Sequence, residues 1–412
     1  MREIKDRAEI KGKIEKTMNK EEPVKEQDID LSKYITPERE KDYKYDPDHL
    51  AEGDRKRMHD AGIILDKPDE RSGTFLQMDN TPVHFAMQQE GIEIMSTSEA
   101  LEKYDWMGDY MWKAVSADTD KYTANVEANK GDGYFIRSLP GQKSILPVQA
   151  CLYMAKKQSI QNVHNIVIAE KDSELHIITG CTTAPRNDPG LHLGVTEVYI
   201  KRGAKLTFTM IHNWNPEIAV RPRTAVIIED NGIYMSNYVM MKPVGTIQMN
   251  PLAVCRGENS VARFNSVLVA PEGSNLDIGS RTILSGRGSK TEIISRAITT
   301  GGNMIARGYI EGNAPDVKGH LECRGLIMEG GGVMHAIPEL KGSLAGIDLS
   351  HEAAVGKIAE EEVEYLMARG LSSQEATATI VRGFLRVDIE GLPAALNQEL
   401  KKTIEASEED LM

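Results

Sequence analysis

A run of evenly spaced turns restricts the fold more than anything else in this sequence. Clusters of small and polar residues begin at Arg256 (RGEN), Pro271 (PEGS), Gly286 (GRGS) and Thr300 (TGGN), so their starts lie 15, 15 and 14 residues apart. Between them stand VARFNSVLVA, NLDIGSRTILS and KTEIISRAIT, each with room for one or two short strands and a bend. Spacing this regular points to stacked coils, a sandwich or a barrel. No strict hexapeptide repeat is present, and the period alone does not choose a β-helix over a sandwich. The same β-branched, glycine-rich character runs from about Gly131 to about residue 340, with VTEVYI, KLTFTMI and RTAVIIE as further strands.

The flanks differ. Residues 1 to about 70 are dense in Lys, Arg, Glu and Asp and are interrupted by Pro23, Pro37 and Pro47, which predicts short solvated helices and linkers. The stretch 97–115 predicts a helix capped by Thr97, with Leu101, Tyr104, Met107 and Met111 spaced three or four apart. Beyond residue 358 the pattern is helical again. Val363, Leu366 and Met367 share one face, Gly370 suits a C-cap, and Ser372 with Glu375 forms a capping box ahead of an Ala376, Ile380, Val381, Phe384 stripe. A third helix carries Pro393 in its first turn. The expected organisation is an N-terminal helical and mixed region over 1–130, a β core over 131–345 and a C-terminal helical module over 346–412.

Several function classes lack support. A net charge of -13 and a pI near 5.4 argue against a nucleic-acid clamp. No run of eighteen apolar residues offers a membrane span, and the charged N-terminus lacks the apolar segment of a secretory signal, so a cytoplasmic setting is expected. There is no P-loop, G-x-S-x-G, H-E-x-x-H or C-x-x-C. The four cysteines, Cys151, Cys181, Cys255 and Cys323, are far apart and suit free thiols or ligands better than a disulfide frame.

Chemistry-bearing residues gather in two places. GHLEC ends in Cys323, and His351 and Glu352 follow some thirty residues later, where an irregular stretch turns toward a helix. The ordinary reading of Cys323 is a small buried apolar residue. That of Glu352 is an acid in a first helical turn with Ser350 as cap, which leaves His351 unexplained. As a set, thiolate, imidazole and carboxylate suit iron or zinc. Neighbouring residues of an extended chain point to opposite faces, so one of the pair can face its own cysteine and the other a second subunit. Upstream, Cys181 lies in GCTTAP, and His192 and the MIHNW segment (His212, Trp214) approach it if consecutive coils stack.

These stretches carry a resemblance. SHEAAVGKIAEEEVEYLMARGLS, GHLEC, GCTTAPRNDPGLH, HNW and SRAI resemble, in order and spacing from about Gly131 to the C-terminus, the SufB/SufD scaffold proteins of iron–sulfur cluster assembly. The resemblance implies a mainly β fold, a right-handed parallel β-helix between N- and C-terminal helical regions. It implies a scaffold, not an enzyme, working with a SufC-like ABC-type ATPase that docks on the C-terminal helices. The cargo is a transient iron–sulfur cluster, and the sequence is silent on a flavin. Cys323 and Glu352 match the cluster-building residues of SufB, and His351 matches the histidine that SufD contributes. Cys181 matches the sulfur-accepting cysteine, and His192 and Trp214 match residues lining the passage between the two cysteines. His212 stands where SufB has glutamine. With all three cluster residues in one chain, a homodimer can supply both halves of a shared site; a SufB/SufD-like heterodimer, with this chain as the SufD-like structural partner, is the alternative.

Overall fold

The computed structural model describes residues 12–18, 28–39, 50–186, 188–328 and 331–385. Its body is a parallel β-solenoid of about eight turns. One sheet stacks Val148–Met154, Glu174–Thr183, Lys205–Asn213, Ile233–Met240, Val261–Pro271, Lys290–Thr300, Lys318–Ile327 and Asp348–Gly356, all parallel. The second sheet takes the return strand of each coil, from Ser159–Ala169 through Gly190–Ile200 to Asn275–Leu284, Asn303–Gly312 and Val333–Gly342. Two middle return strands are split, into Ile218–Val220 with Arg223–Ile228 and Thr246–Met249 with Leu252–Cys255. Pro222 and Pro251 fall at the breaks, where proline has no N–H to give the ladder.

The turn spacing is half of a coil. Val261, Lys290, Lys318 and Asp348 are successive register partners, so the coils repeat every 29, 28 and 30 residues and each interval between turns holds one strand. Corners stack backbone on backbone: a Cβ added at Gly286 would lie 1.8 Å from the carbonyl oxygen of Gly257 in the coil before it. Only glycine permits that approach. Inward side chains form one continuous core from Phe75 and Ile92 at one end to Leu321 and Cys323 at the other.

Three local expectations change. The helix expected over 97–115 is Thr97–Lys103, followed by a 3-10 turn at Asp105–Asp109. Its cap is Ser96, in a reciprocal box with Glu99, while Thr97 instead bonds Asp132 at 2.6 Å. The charged N-terminal region also contributes strands: Gly73–Met78 extends the first sheet and pairs with Thr81–Met87 in a hairpin. Finally, Ser350, His351 and Glu352 do not begin a helix. They lie in Asp348–Gly356, paired in parallel with Lys318–Ile327, and the helix starts only at Glu360. Coil stacking overrides the local capping signal here, because the chain completes one more sheet strand before leaving the solenoid.

The Ser372–Glu375 box is present, with Glu375 N donating to Ser372 Oγ at 3.2 Å and Ser372 N to the Glu375 carboxylate at 2.8 Å. Gly370 takes the left-handed conformation, φ 100°, between the helices Glu360–Met367 and Ser373–Leu385. The second of these lays Val381, Phe384 and Leu385 on the outer face of the first sheet, against Ile178, Ile211, Val239, Val267 and Ile298. The third helix, with Pro393, lies outside the described residues. None of the described helices is long and apolar enough to cross a membrane.

Candidate functional site

The interior of the middle coils holds the first cluster. Cys181 is 1% exposed and faces the core from the strand Glu174–Thr183. Its register partner in the next coil is His212. Trp214, at the following corner, lies 5.4 Å ring to ring from His212 and 5.0 Å from His192, which comes from the opposite sheet. Coil stacking thus brings Cys181, His192, His212 and Trp214 together, as their spacing allows. Two residues that sequence reasoning missed complete the cluster. Tyr238 Oη and His212 Nδ1 are 2.8 Å apart, and Gln161 Oε1 lies 2.8 Å from His192 Nδ1. The coil repeat, applied to His212, lands within two residues of Tyr238 and was the available signal.

Burial sets the protonation of this cluster. It pushes the Cys181 thiol well above the usual range, with a further push from Cys151. It pulls the His192 imidazole down to about 3, and holds His212 well below its ordinary value with His192 adding to the effect. At neutral pH the cluster therefore contains a thiol and two uncharged imidazoles. A neutral imidazole is a proton acceptor, and a thiol becomes a nucleophile only as it gives up its proton. The indole Nε1–H of Trp214 is buried without a partner among the described groups, a donor free for a visiting atom.

The second cluster lies at the last coils. Cys323 is 2% exposed and closes the core, between Ser295 and Ala353 in register. His351 pairs with Leu321 and Glu352 with Glu322. Because side chains alternate along a strand, His351 shares the inward side of Cys323, and Glu352 shares the outer side with Glu322 and Arg324. That outer side is a charge ladder: Arg296 pairs with Glu322, Arg324 Nε with Glu322 at 2.7 Å, and Arg324 Nη2 with Glu352 at 3.4 Å. Burial, and then the neighbouring Glu322, push the Cys323 thiol up to about 11. Among the described residues, no three His, Cys, Asp or Glu side chains converge as a metal-binding group. One chain therefore presents its thiol and imidazole on one side and its carboxylate on the other, around a strand whose far edge has no partner strand among the described residues.

The two clusters are separated along the solenoid. Five ladder steps lead from Glu174–Thr183 to Lys318–Ile327, about 24 Å at the usual strand spacing. The inward row that ends in Cys323 runs back through Ser295, Ser266 and Tyr238, the tyrosine bonded to His212.

Comparison with known proteins bears on the family of the chain. Residues 152–384 match the family model described as SUF system FeS cluster assembly, SufBD core domain. The chain is 52% identical over 359 residues to an iron-sulfur cluster assembly SufBD family protein of Archaeoglobus fulgidus, covering 87% of this chain and 96% of that one. It is 50% identical over 343 residues to one of Methanothermobacter thermautotrophicus, covering 82% and 84%. With the iron-sulfur cluster assembly protein SufB of Bacillus subtilis the identity is 26% over 385 residues, 91% of this chain and 82% of that one. On its family match, its close relatives and its parallel β-solenoid, the chain belongs to the SufBD family of SUF-system iron–sulfur cluster assembly proteins.

Proposed function

We propose that this chain is a SufB-like scaffold on which clusters are built, acting as a homodimer with a SufC-like ATPase docked on its C-terminal helices. The observation that carries the reading is the pairing of Cys323 with the open strand that bears His351 and Glu352. Sulfur enters at Cys181. Its thiolate attacks the terminal sulfur of a donor protein's persulfide, the donor's S–S bond breaks, the donor cysteine leaves as thiolate, and the Cys181 proton passes to a base, for which His212 is adjacent. The roughly 24 Å between the two thiols rules out direct exchange, so a two-electron reductant cleaves the Cys181 persulfide, regenerating the thiol and releasing hydrogen sulfide, and that mobile sulfide joins iron at Cys323. Cys323 and His351 then hold iron from one chain, and Glu352 from the second completes the set. ATP-driven closure of the partner pair moves the helical modules and opens this seam.

Among the described residues no strand pairs the far edge of Asp348–Gly356, and that edge supports a dimer. A strand with unpaired N–H and C=O groups is a template for a second chain, and a symmetric pair buries the same patch on both copies. Val333, Leu344 and Val355 are exposed near this end, at 60%, 46% and 42%. The second reading is a SufD-like structural partner. It needs a separate SufB-like subunit for cluster formation, and the presence of Cys323 and Glu352 in this chain weighs against it.

The test is anaerobic reconstitution of the chain with its ATPase, iron, sulfide and reductant, read by visible absorption and bound iron. Wild type acquires a cluster; Cys323→Ser loses it by more than about tenfold with its β circular dichroism unchanged, because thiolate is the soft ligand the cluster requires. A Cys323→Ser chain that assembles as well as wild type sinks the scaffold assignment. A wild type that assembles only with a second β-solenoid subunit supports the structural-partner reading.

A further inference from the structure

The two imidazoles near Cys181 are held differently, and only one of them has its proton fixed. Gln161 and His192 are register partners on neighbouring coils of the second sheet, and both are buried. Gln161 Nε2 donates to Asp79 O at 2.8 Å and to Tyr153 O at 3.2 Å. Backbone carbonyls can only accept, so the amide cannot be turned over: its NH2 faces them, and its Oε1 faces His192 Nδ1, 2.8 Å away. That oxygen, too, can only accept. The single proton of a neutral His192 ring therefore sits on Nδ1, and Nε2 keeps a bare lone pair. His212 differs, because its Nδ1 meets the Tyr238 hydroxyl, which can give a proton or take one.

The bare nitrogen has no hydrogen-bond partner among the described residues. It lies beside Gly194, where an added Cβ would stand 2.8 Å from it, so a larger residue there would push the ring aside. Trp214, 5.0 Å away ring to ring, has the opposite need: its Nε1–H is a buried donor without an acceptor. The corner that carries the indole is pinned by Arg57, whose Nε donates to Thr183 O at 3.1 Å and whose Nη2 donates to Asn213 O at 2.6 Å and Trp214 O at 2.9 Å. Leaving a buried donor and a buried acceptor unpaired is costly. Neighbouring rings that do both suit a small molecule able to donate and accept at once.

We propose that Gln161 is a positioning residue that locks His192 as the Nδ1–H tautomer, and that the bare Nε2, together with the indole N–H of Trp214, binds hydrogen sulfide. The proposal rests on the reading in which reduction of a persulfide on Cys181 frees sulfide inside the solenoid. Hydrogen sulfide donates an S–H to Nε2 and accepts the indole N–H; no covalent bond forms or breaks, and no further reagent is needed. Burial keeps His192 uncharged at neutral pH, so its Nε2 accepts instead of donating. The lock matters because the other tautomer would place two donors, and no acceptor, side by side.

Long-range proton–nitrogen correlation spectra of the full-length chain, labelled at its histidine nitrogens, read the tautomer directly, and His192→Asn marks the signal to follow. Wild type at neutral pH shows a protonated Nδ1 and an unprotonated Nε2. A protonated Nε2 overturns the lock. Gln161→Met mixes the two tautomers; a signal that keeps the wild-type tautomer in that variant overturns the role of Gln161. Anaerobic titration with sodium sulfide then tests the ligand. Sulfide moves the Nε2 signal of His192 in wild type, and half-saturation in Gln161→Met takes about fivefold more, the worth of one neutral hydrogen bond. A His192 signal that ignores sulfide, or that responds equally in both proteins, overturns the site. The wild-type spectra decide the lock and the site even where Gln161→Met fails to fold. Cys181→Ser separates the two readings: full cluster assembly from a persulfide donor in that variant refutes the acceptor role, while the response of His192 to added sulfide alone decides the binding site.

Discussion

Around Cys181 the coil is covered from both sides; around Cys323 the solenoid runs out. The strands Ser159–Ala169 and Gly190–Ile200 are buried along their whole length, since the core fills one face and Ile29, Val115, Tyr122 and Val126 cover the other. In Asp348–Gly356, by contrast, all but one residue is exposed. The middle coils therefore carry a finished, rigid environment that fixes protonation and ring positions. The last coil carries Cys323, His351 and Glu352 without an enclosure. The same stacking rule produces both, and the difference is only whether another layer follows. A site built inside the stack is complete in one chain, and a site built at its end invites a second.

The sharpest way to break that contrast is to remove bulk from each region. Trp214 is among the largest fully buried side chains, packed between two histidines. Trp214→Ala should cost about 3–5 kcal/mol of stability, the range for deleting a large core aromatic. His351→Ala, on the exposed strand, should stay within about 0.5 kcal/mol. Urea unfolding of the two variants beside wild type measures both. Similar losses would mean that side chains of the end coil stabilise the fold as much as those of the middle.

A second contrast is in pH. His192 and His212 are held uncharged by burial, with folded pKa values below 6.5. As pH falls past 6.5 the unfolded chain takes up protons that the folded chain refuses. Stability is thus full above about 6.5 and declines on acidification, by about 1.4 kcal/mol per pH unit for each imidazole until its folded pKa is reached. Urea midpoints between pH 7.5 and 5 should show this decline, and His192→Asn with His212→Asn should flatten it. An unaltered slope in the double variant would place the acid sensitivity outside the Cys181 cluster.

Much of this was legible in the sequence, for a physical reason. A solenoid repeats its corner chemistry at every half coil, so the turns at 256, 271, 286 and 300 announced the period before any strand was placed. Cys181, His212 and Trp214 became neighbours once one coil was stacked on the next. Illegible were features that depend on pairing across coils. SHEAA reads locally as a capped helix start, and only its register with GHLEC makes it a strand. The separation of Glu352 from Cys323 onto opposite sides follows from the same register. Arg57 carries no signal at all, since a guanidinium on three carbonyls 126 to 157 residues away is a tertiary event.

The smallest expected effect on the folded chain comes at the open edge, and it is informative because it is small. Val355 is 42% exposed on the last strand and packs into no described core cluster. Val355→Asp should leave stability to urea within about 0.5 kcal/mol, as surface changes away from special features do. The same charge, placed where two copies would meet along unpaired backbone, leaves a carboxylate desolvated against its own symmetry mate. Such like-charge contacts cost several kcal/mol. Sedimentation should therefore show a dimer in wild type and a monomer in the variant, with unchanged circular dichroism. A variant that remains dimeric would move the interface away from this edge and leave Cys323, His351 and Glu352 to be completed by a different subunit.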